Sequence, residues 1–268
     1  MPTRKVRLAE LTQGEMQKAL QHNPVVLLPM GSFEDQGPHA PMGDFLSAAR
    51  IAELIAEHAT DAGVETLVSP AVPFGCDDYF GASPGGISLQ PATFRAVISD
   101  IFGSLVRHDL KRLIVINGHG GNVPVVHEVA AELYRRQHVL IPSLYLWKIG
   151  YGLLPGILGA ERARAASGHG ADPLTSVAMH LFPELMRPDL VPEPIETPMV
   201  LGLPPSGFGM VAFEDAEIHI PLEYNAFAPD AVRGGDPRLS SSATGKVLVE
   251  RLTALGARFV AHYARHVG

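Results

Sequence analysis

The fold is decided by LIVINGHGGN, residues 113–122, in which an apolar run meets a glycine-rich polar one. Four consecutive apolar residues predict a strand that is buried on both faces, as the strands of a parallel sheet are. The glycine-rich residues 117–122 end this strand, and apolar residues at helical spacing follow from 123 to about 137. A strand, a short loop and a helix in this order predict one unit of an α/β fold.

The same alternation continues outward on both sides of this stretch. A second buried strand is predicted at VVLL, residues 25–28, which Pro29 and Gly31 bring to an end. Further strands are expected at 65–72 and 139–146, and helices at 44–59, 91–106, 172–181 and 240–262. Residues 183–237 are rich in proline and glycine, which favours loops with at most short strands. We therefore expect a mainly parallel sheet in a single domain that covers residues 1–268.

Composition excludes several classes of function. The 268 residues carry a formal net charge of −7, so no basic face for nucleic acid or for an anionic membrane is expected. Cys76 is the only cysteine, which excludes an intrachain disulfide and a cysteine-based zinc cluster. The amino-terminal stretch lacks an apolar signal segment, and the apolar runs are too short to span a bilayer. We expect a cytoplasmic protein that acts on a small molecule.

Polar, glycine-rich segments stand where ligands bind in such folds, beyond the carboxyl ends of the strands. Glu34 and Asp44 lie in the segment 31–44, and His119 lies in 117–122. Together they offer two carboxylates and one imidazole, a set that Zn²⁺, Mn²⁺ or Fe²⁺ accepts, with a position left for water. A metal lowers the pKa of such a water and polarises a carbonyl group. The backbone amides of Gly120 and Gly121 are candidate donors to the resulting oxyanion.

Each of these residues also has a purely structural explanation. Glu34 can be an ordinary loop acid, and Asp44 precedes a helix, where an aspartate often caps free amides. His119 can be a turn residue, and the glycines beside it can cradle a phosphate instead. Acids and a histidine at two separate strand ends nevertheless favour a site over three coincidences.

Four more residues are candidates for catalysis or substrate binding. His169 lies three residues before Asp172, where a helix begins, and can protonate a leaving nitrogen or serve only as a cap-region histidine. His39 shares a loop with Glu34. Asp78 follows a predicted strand end, and a turn is the competing explanation for it.

Five segments in the same order resemble the creatininase family: 31–44, 83–89, 117–122, 169–176 and 234–237. The resemblance implies a three-layer α/β/α fold with a mainly parallel central sheet, assembled as a homo-oligomer that is often a hexamer. It implies hydrolysis of a carbon–nitrogen bond with one or two divalent metals. Carried over by motif, Glu34, Asp44 and His119 match the ligands of the first metal. His169 matches a histidine of the catalytic pocket.

Two of the departures from the family pattern concern the second metal. Gln36 stands where the family has a histidine ligand, and Gly121 stands where creatininase has a glutamate ligand. Leu174 replaces another usual glutamate, for which Asp172 is a candidate substitute. Asp44 comes one residue earlier than usual. We therefore expect one metal per chain and a substrate other than creatinine.

Three functions follow from these observations. The leading one is hydrolysis of a carbon–nitrogen bond in a small cyclic amide or formamide through metal-activated water. The second is hydrolytic carbon–carbon cleavage of a cyclic sugar ketone, which needs the same polarised carbonyl. The third is a non-catalytic member of the family that binds a small molecule.

Overall fold

Four short parallel strands form the central sheet of this computed structural model, which describes residues 5–76, 79–193, 197–207, 209–221, 224–226, 228 and 230–267. The strands follow the order β2-β1-β3-β4 across the sheet. Met30 lies beside Asn117, and Asn117 lies beside Tyr145, so three strands end at the same edge. The strands are β1 Val25–Met30, β2 Thr66–Val68, β3 Leu113–Asn117 and β4 Ser143–Tyr145.

Helices connect the strands and cover both faces of the sheet. They are α1 Gln13–Leu20, α2 Phe45–Asp61, α3 Pro91–Arg107, α4 Asn122–Gln137, α5 Leu146–Leu153, α6 Pro155–Leu158, α7 Ala160–Ala166, α8 Leu174–Leu181 and α9 Ser242–His266. The five predicted helices are present within a few residues of their expected bounds. Strands β2 and β4 are shorter than predicted.

The side chains of the central strands alternate between two hydrophobic cores. Leu27 and Ile116 belong to the core beneath α2, α8 and α9, whereas Leu28 and Val115 belong to the core beneath α3 and α4. Neither face meets water, which explains why β1 and β3 are continuously apolar. The predicted three-layer α/β/α fold with a mainly parallel central sheet is confirmed.

Two regions differ from a plain alternation of strands and helices. Residues 146–166 form α5, α6 and α7, three short helices that the glycines and the single proline of this segment concealed. The proline- and glycine-rich segment contains a small antiparallel sheet of β5 Pro205–Gly207, β6 Met210–Phe213 and β7 Ala216–His219.

No helix in the described ranges is long and apolar enough to cross a bilayer. The assignment of the chain to one domain stays a prediction.

Candidate active site

The aligned ends of β1 and β3 bring the two polar segments together. The Gly118 N–H donates to the Met30 carbonyl at 2.8 Å, which joins the polar segment 117–122 to the end of β1. Asp44 returns to this edge because its Oδ1 accepts from the Ser32 N–H at 2.7 Å. Gly31 leaves room for this return, since a Cβ there would lie 2.3 Å from Asp44 Oδ1.

Glu34, Asp44 and His119 converge on a single point. His119 Nδ1 lies 3.2 Å from Glu34 Oε1 and 3.4 Å from Asp44 Oδ2. One ligand atom from each residue lies within 4.8 Å of the others, and all three residues are buried. The structure therefore unites the three residues that the sequence singled out.

The hydrogen bonds of His119 orient its ring toward the two carboxylates. Its Nε2 is 2.9 Å from the Cys76 carbonyl, which can only accept, so Nε2 carries a proton. In the neutral imidazole the lone pair is then on Nδ1, the atom that faces Glu34 and Asp44. With His119 neutral, lone pairs from three buried residues would meet at one point, an arrangement that a cation stabilises. The donor set fits a divalent metal.

The two carboxyl groups of the cluster have pKa values that are shifted in opposite directions. Burial raises the pKa of Asp44 to about 6, although the neighbouring His119 opposes this shift. Burial also opposes ionisation of Glu34, but His119 and His169 outweigh it and lower the pKa of Glu34 to about 2. The pKa of His119 is raised well above its ordinary value because Glu34 and Asp44 outweigh burial.

His169 lies beside the cluster and is held by a distant part of the chain. Its Nδ1 donates to the Ala231 carbonyl at 2.6 Å, and its Nε2 lies 3.6 Å from Glu34 Oε1. Its ring stacks on Phe80, with centroids 4.4 Å apart and 26° between the planes. The backbone at Arg233 approaches so closely that a Cβ on Gly168 would lie 2.0 Å from the Arg233 oxygen.

A pocket of about 230 Å³ opens onto these residues. Its described lining includes Glu34, Asp44, His119 and His169, together with several aromatic side chains. The aromatic residues are Tyr79, Tyr145, Trp147 and Tyr151. Sequence reasoning missed all four, although Tyr145 at the end of β4 and Tyr79, directly after the candidate Asp78, had positions that could have pointed to them.

Gln36 also lines the pocket and is fully buried. Its Nε2 donates to Glu34 Oε1 at 3.0 Å. Gln36, at the position where the resemblance implies a histidine, therefore holds the Glu34 carboxylate in place.

The remaining predicted residues fall in different places. Gly120 lines the pocket, whereas Gly121 does not, and the Gly121 carbonyl accepts from Cys76 Sγ. His39 is buried outside the described lining, with its Nε2 3.4 Å from the Thr175 hydroxyl. Burial lowers the pKa of His39. The pocket gives no support to substrate binding by His39 or by the backbone of Gly121.

Asp172, predicted to be catalytic, is also absent from the described lining of the pocket. Its Oδ1 accepts from the backbone N–H and the hydroxyl of Ser176 in the first turn of α8. These contacts favour a role in positioning α8. Asp78, predicted to bind substrate, lies outside the described residues.

The comparisons with known proteins show the family of this chain. A family model described as creatinine amidohydrolase matches residues 9–260. The chain belongs to the creatininase family. A mycofactocin precursor peptide peptidase of Mycolicibacterium smegmatis is 32% identical over 41% of this chain and 45% of its own length. Creatinine amidohydrolase of Pseudomonas putida is 26% identical over 70% of this chain and 76% of its own.

Solved creatininase structures share the fold. One crystal structure of creatininase matches with a TM-score of 0.78 at 21% identity, over 97% of this chain and 98% of its own. A creatininase of Zn–Zn type and a Mn creatininase match with TM-scores of 0.76 and 0.74, at 22% and 23% identity. Each of these covers 97% of this chain and 98% of its own.

Proposed function

We propose that this chain is a metal-dependent hydrolase that cleaves a carbon–nitrogen bond in a small cyclic amide or formamide other than creatinine. The observation that carries the proposal is the convergence of Glu34, Asp44 and His119 next to His169 in one pocket. A volume of about 230 Å³ favours a small ring or a single side chain over a long ligand.

Glu34, Asp44 and His119 are the residues that would hold the metal, which is Zn, Mn or Fe in this proposal. When bound, the ion supplies Lewis acidity to the substrate carbonyl and lowers the pKa of a water to the neutral range. One ion per chain is expected, because Gln36 already donates to Glu34 and Gly121 offers no side chain.

His169 is the proposed general acid. Its Nδ1 donates to the Ala231 carbonyl, so Nε2 is the ring atom that can take up a proton and deliver it to the leaving nitrogen. The stacking on Phe80 fixes the plane of the ring, which keeps this atom near Glu34. Gly120 remains the candidate backbone donor to the oxyanion, and the structural contacts of Asp172 make it a positioning residue in this scheme.

A peptide bond is the second candidate for the scissile bond. The similarity to a precursor peptide peptidase favours it, and a peptide terminus can reach a pocket of this size. We further propose a cytoplasmic homo-oligomer, a hexamer by family resemblance, which acts on a small molecule and binds neither nucleic acid nor membrane.

The proposal is tested by metal analysis and by a substrate panel. Protein purified without chelator should contain one divalent metal per chain by inductively coupled plasma analysis. Lactams, cyclic ureides, formamides and short peptides should be assayed before and after treatment with a chelator. Hydrolysis of an amide that stops without metal and returns with it is expected.

Matched variants of neighbouring acids locate the metal. Glu34→Gln should lose the metal and the activity, since it removes a carboxylate from the cluster. Asp35→Asn should keep both, because Asp35 accepts from the Gly37 N–H at 2.9 Å, its one hydrogen bond among the described residues, and an amide oxygen can do the same. Two stoichiometric metals per chain, or full activity in a chelator, would contradict the proposal.

A further inference from the structure

The amide group of Gln36 has one orientation. Its Nε2 faces the Glu34 carboxylate at 3.0 Å, and the reverse orientation would bring two acceptor oxygens together. The Oε1 atom therefore faces away from Glu34. This oxygen is buried, and it has no hydrogen-bond partner within the described part of the chain. Buried carbonyl oxygens in native proteins are nearly always paired, with protein, water or ligand.

The pocket offers donors on a second wall. Residues 145–151, from the end of β4 into α5, contribute Tyr145, Trp147 and Tyr151 to the lining. The indole Nε1 of Trp147 can only donate, and it is buried without a partner among the described residues. Two neutral groups of lining residues thus lack a partner among the described residues: the amide oxygen of Gln36, which accepts, and the indole N–H of Trp147, which donates.

No lysine or arginine is among the described residues that line the pocket. Among the residues outside the described ranges, the only lysine or arginine in the sequence is Arg4. Apart from the metal cluster and His169, the described lining therefore has neutral polar groups, which suit a neutral ligand that both donates and accepts.

We propose that Gln36 determines specificity by accepting a hydrogen bond from the N–H of the substrate amide. The substrates would then be amides or cyclic ureides that carry this hydrogen, and N-alkylated amides would be excluded. This inference rests on the proposed amide hydrolysis. An analogue without the N–H leaves the buried Oε1 unpaired, and sites of this kind reject such analogues strongly.

Trp147 provides a binding assay that needs no turnover. It is the only tryptophan in the chain, and it lines the pocket. Zinc-loaded protein would be titrated with 2-pyrrolidinone and with N-methyl-2-pyrrolidinone while the fluorescence of Trp147 is recorded. We expect saturable quenching, with affinity for the N–H ring about tenfold or more above that for the N-methyl ring.

Gln36→Met separates hydrogen bonding from the size of the methyl group. Methionine has a similar length but no amide, so the preference for the N–H ring should fall to about one if Oε1 is its cause. Asp35→Asn, in the same loop but outside the lining, should keep the wild-type preference. Metal content is measured on each variant, because Gln36→Met also removes the hydrogen bond to Glu34.

Three results would overturn the inference: no saturable quenching by 2-pyrrolidinone, equal affinities of the wild-type protein for the two rings, or an unchanged preference in Gln36→Met. The first two need no variant, so they stand even if Gln36→Met does not fold. If no amide is hydrolysed but the preference holds, the proposed reaction fails and the recognition by Gln36 stands. If amides are hydrolysed without the preference, the reaction stands and the role of Gln36 fails.

Discussion

Asn122→Ala should weaken metal binding even though Asn122 does not belong to the metal cluster. The fully buried Asn122 side chain connects three segments at the carboxyl edge of the sheet. Its Oδ1 accepts from the Cys76 N–H at 3.1 Å, and its Nδ2 donates to the Gly31 carbonyl at 3.0 Å and to Asn117 Oδ1 at 3.2 Å. The Cys76 carbonyl in turn accepts from His119 Nε2. Asn122 therefore holds the backbone of Cys76, whose carbonyl orients the imidazole.

The magnitude follows from the three hydrogen bonds. Each contributes about 1 kcal/mol net, and each partner left buried and unpaired costs more, so Asn122→Ala should lower the free energy of unfolding by about 3–6 kcal/mol. That is a large part of a typical stability of about 5–15 kcal/mol. Loss of an outer partner of a metal ligand typically lowers metal affinity by about 10–100-fold.

Two measurements separate the effect on stability from the effect on the site. Urea unfolding of the metal-free protein gives the first, and competition with a chelator gives the affinity for Zn²⁺. Thr60→Ala is the control, because Thr60 is buried and accepts from the Thr66 N–H at 3.0 Å, at the amino end of β2. It should cost about 1–2 kcal/mol and leave the zinc affinity unchanged. Wild-type zinc affinity in folded Asn122→Ala would refute the reasoning.

Further predictions concern the packing of α8 against α9 and the buried acid before α8. Gly245→Ala should destabilise the protein by about 3 kcal/mol, since a Cβ there would lie 1.8 Å from the Ser176 oxygen. Gly14→Ala, with no atom within 4 Å of its Cβ, should be neutral or stabilising by up to about 1 kcal/mol. Equal urea midpoints for Gly245→Ala and Gly14→Ala would contradict both predictions. Burial raises the pKa of Asp172 in the folded protein, although the hydroxyls of Ser176 and Ser240 oppose this shift. The stability that the protonated carboxyl contributes is therefore present below the unfolded pKa of about 3.9 and is lost as pH rises through the folded pKa. Metal-free Asp172→Asn should therefore gain stability relative to the wild-type protein between pH 4 and pH 8 in urea unfolding, and the opposite trend would argue against it.

The central sheet could be predicted from the sequence because its signal is local. In β3, four consecutive apolar residues are buried on both faces, and the polar residues begin where the strand ends. The rule that ligands bind beyond the carboxyl ends of parallel strands then sufficed to choose Glu34, Asp44 and His119. No detailed geometry was needed, because neighbouring parallel strands end at the same edge.

The walls of the pocket could not be predicted in this way, because they depend on contacts between distant segments. His169 takes its position from the Ala231 carbonyl, 62 residues further along the chain in a segment without periodicity. Trp147 and Tyr151 lie on α5, whose glycines hide its helical pattern. His39 and Asp172 are the opposite case. Both lie in motifs that predicted a role in the site, but their side chains contact residues of α8.

Gln36 shows that a sequence reveals which ligand a departure from a family motif removes, but not which contacts the new side chain makes. Compared with the family pattern, it is the loss of a histidine and predicts a weaker second metal position. In the structure, the same side chain donates to Glu34 through Nε2, and its buried Oε1 has no hydrogen-bond partner among the described residues. An amide has a donor end and an acceptor end, and its effect depends on which end meets the carboxylate. A metal ligand can thus be lost while a group able to recognise substrate is gained, and only the three-dimensional arrangement distinguishes this exchange from simple decay of the site.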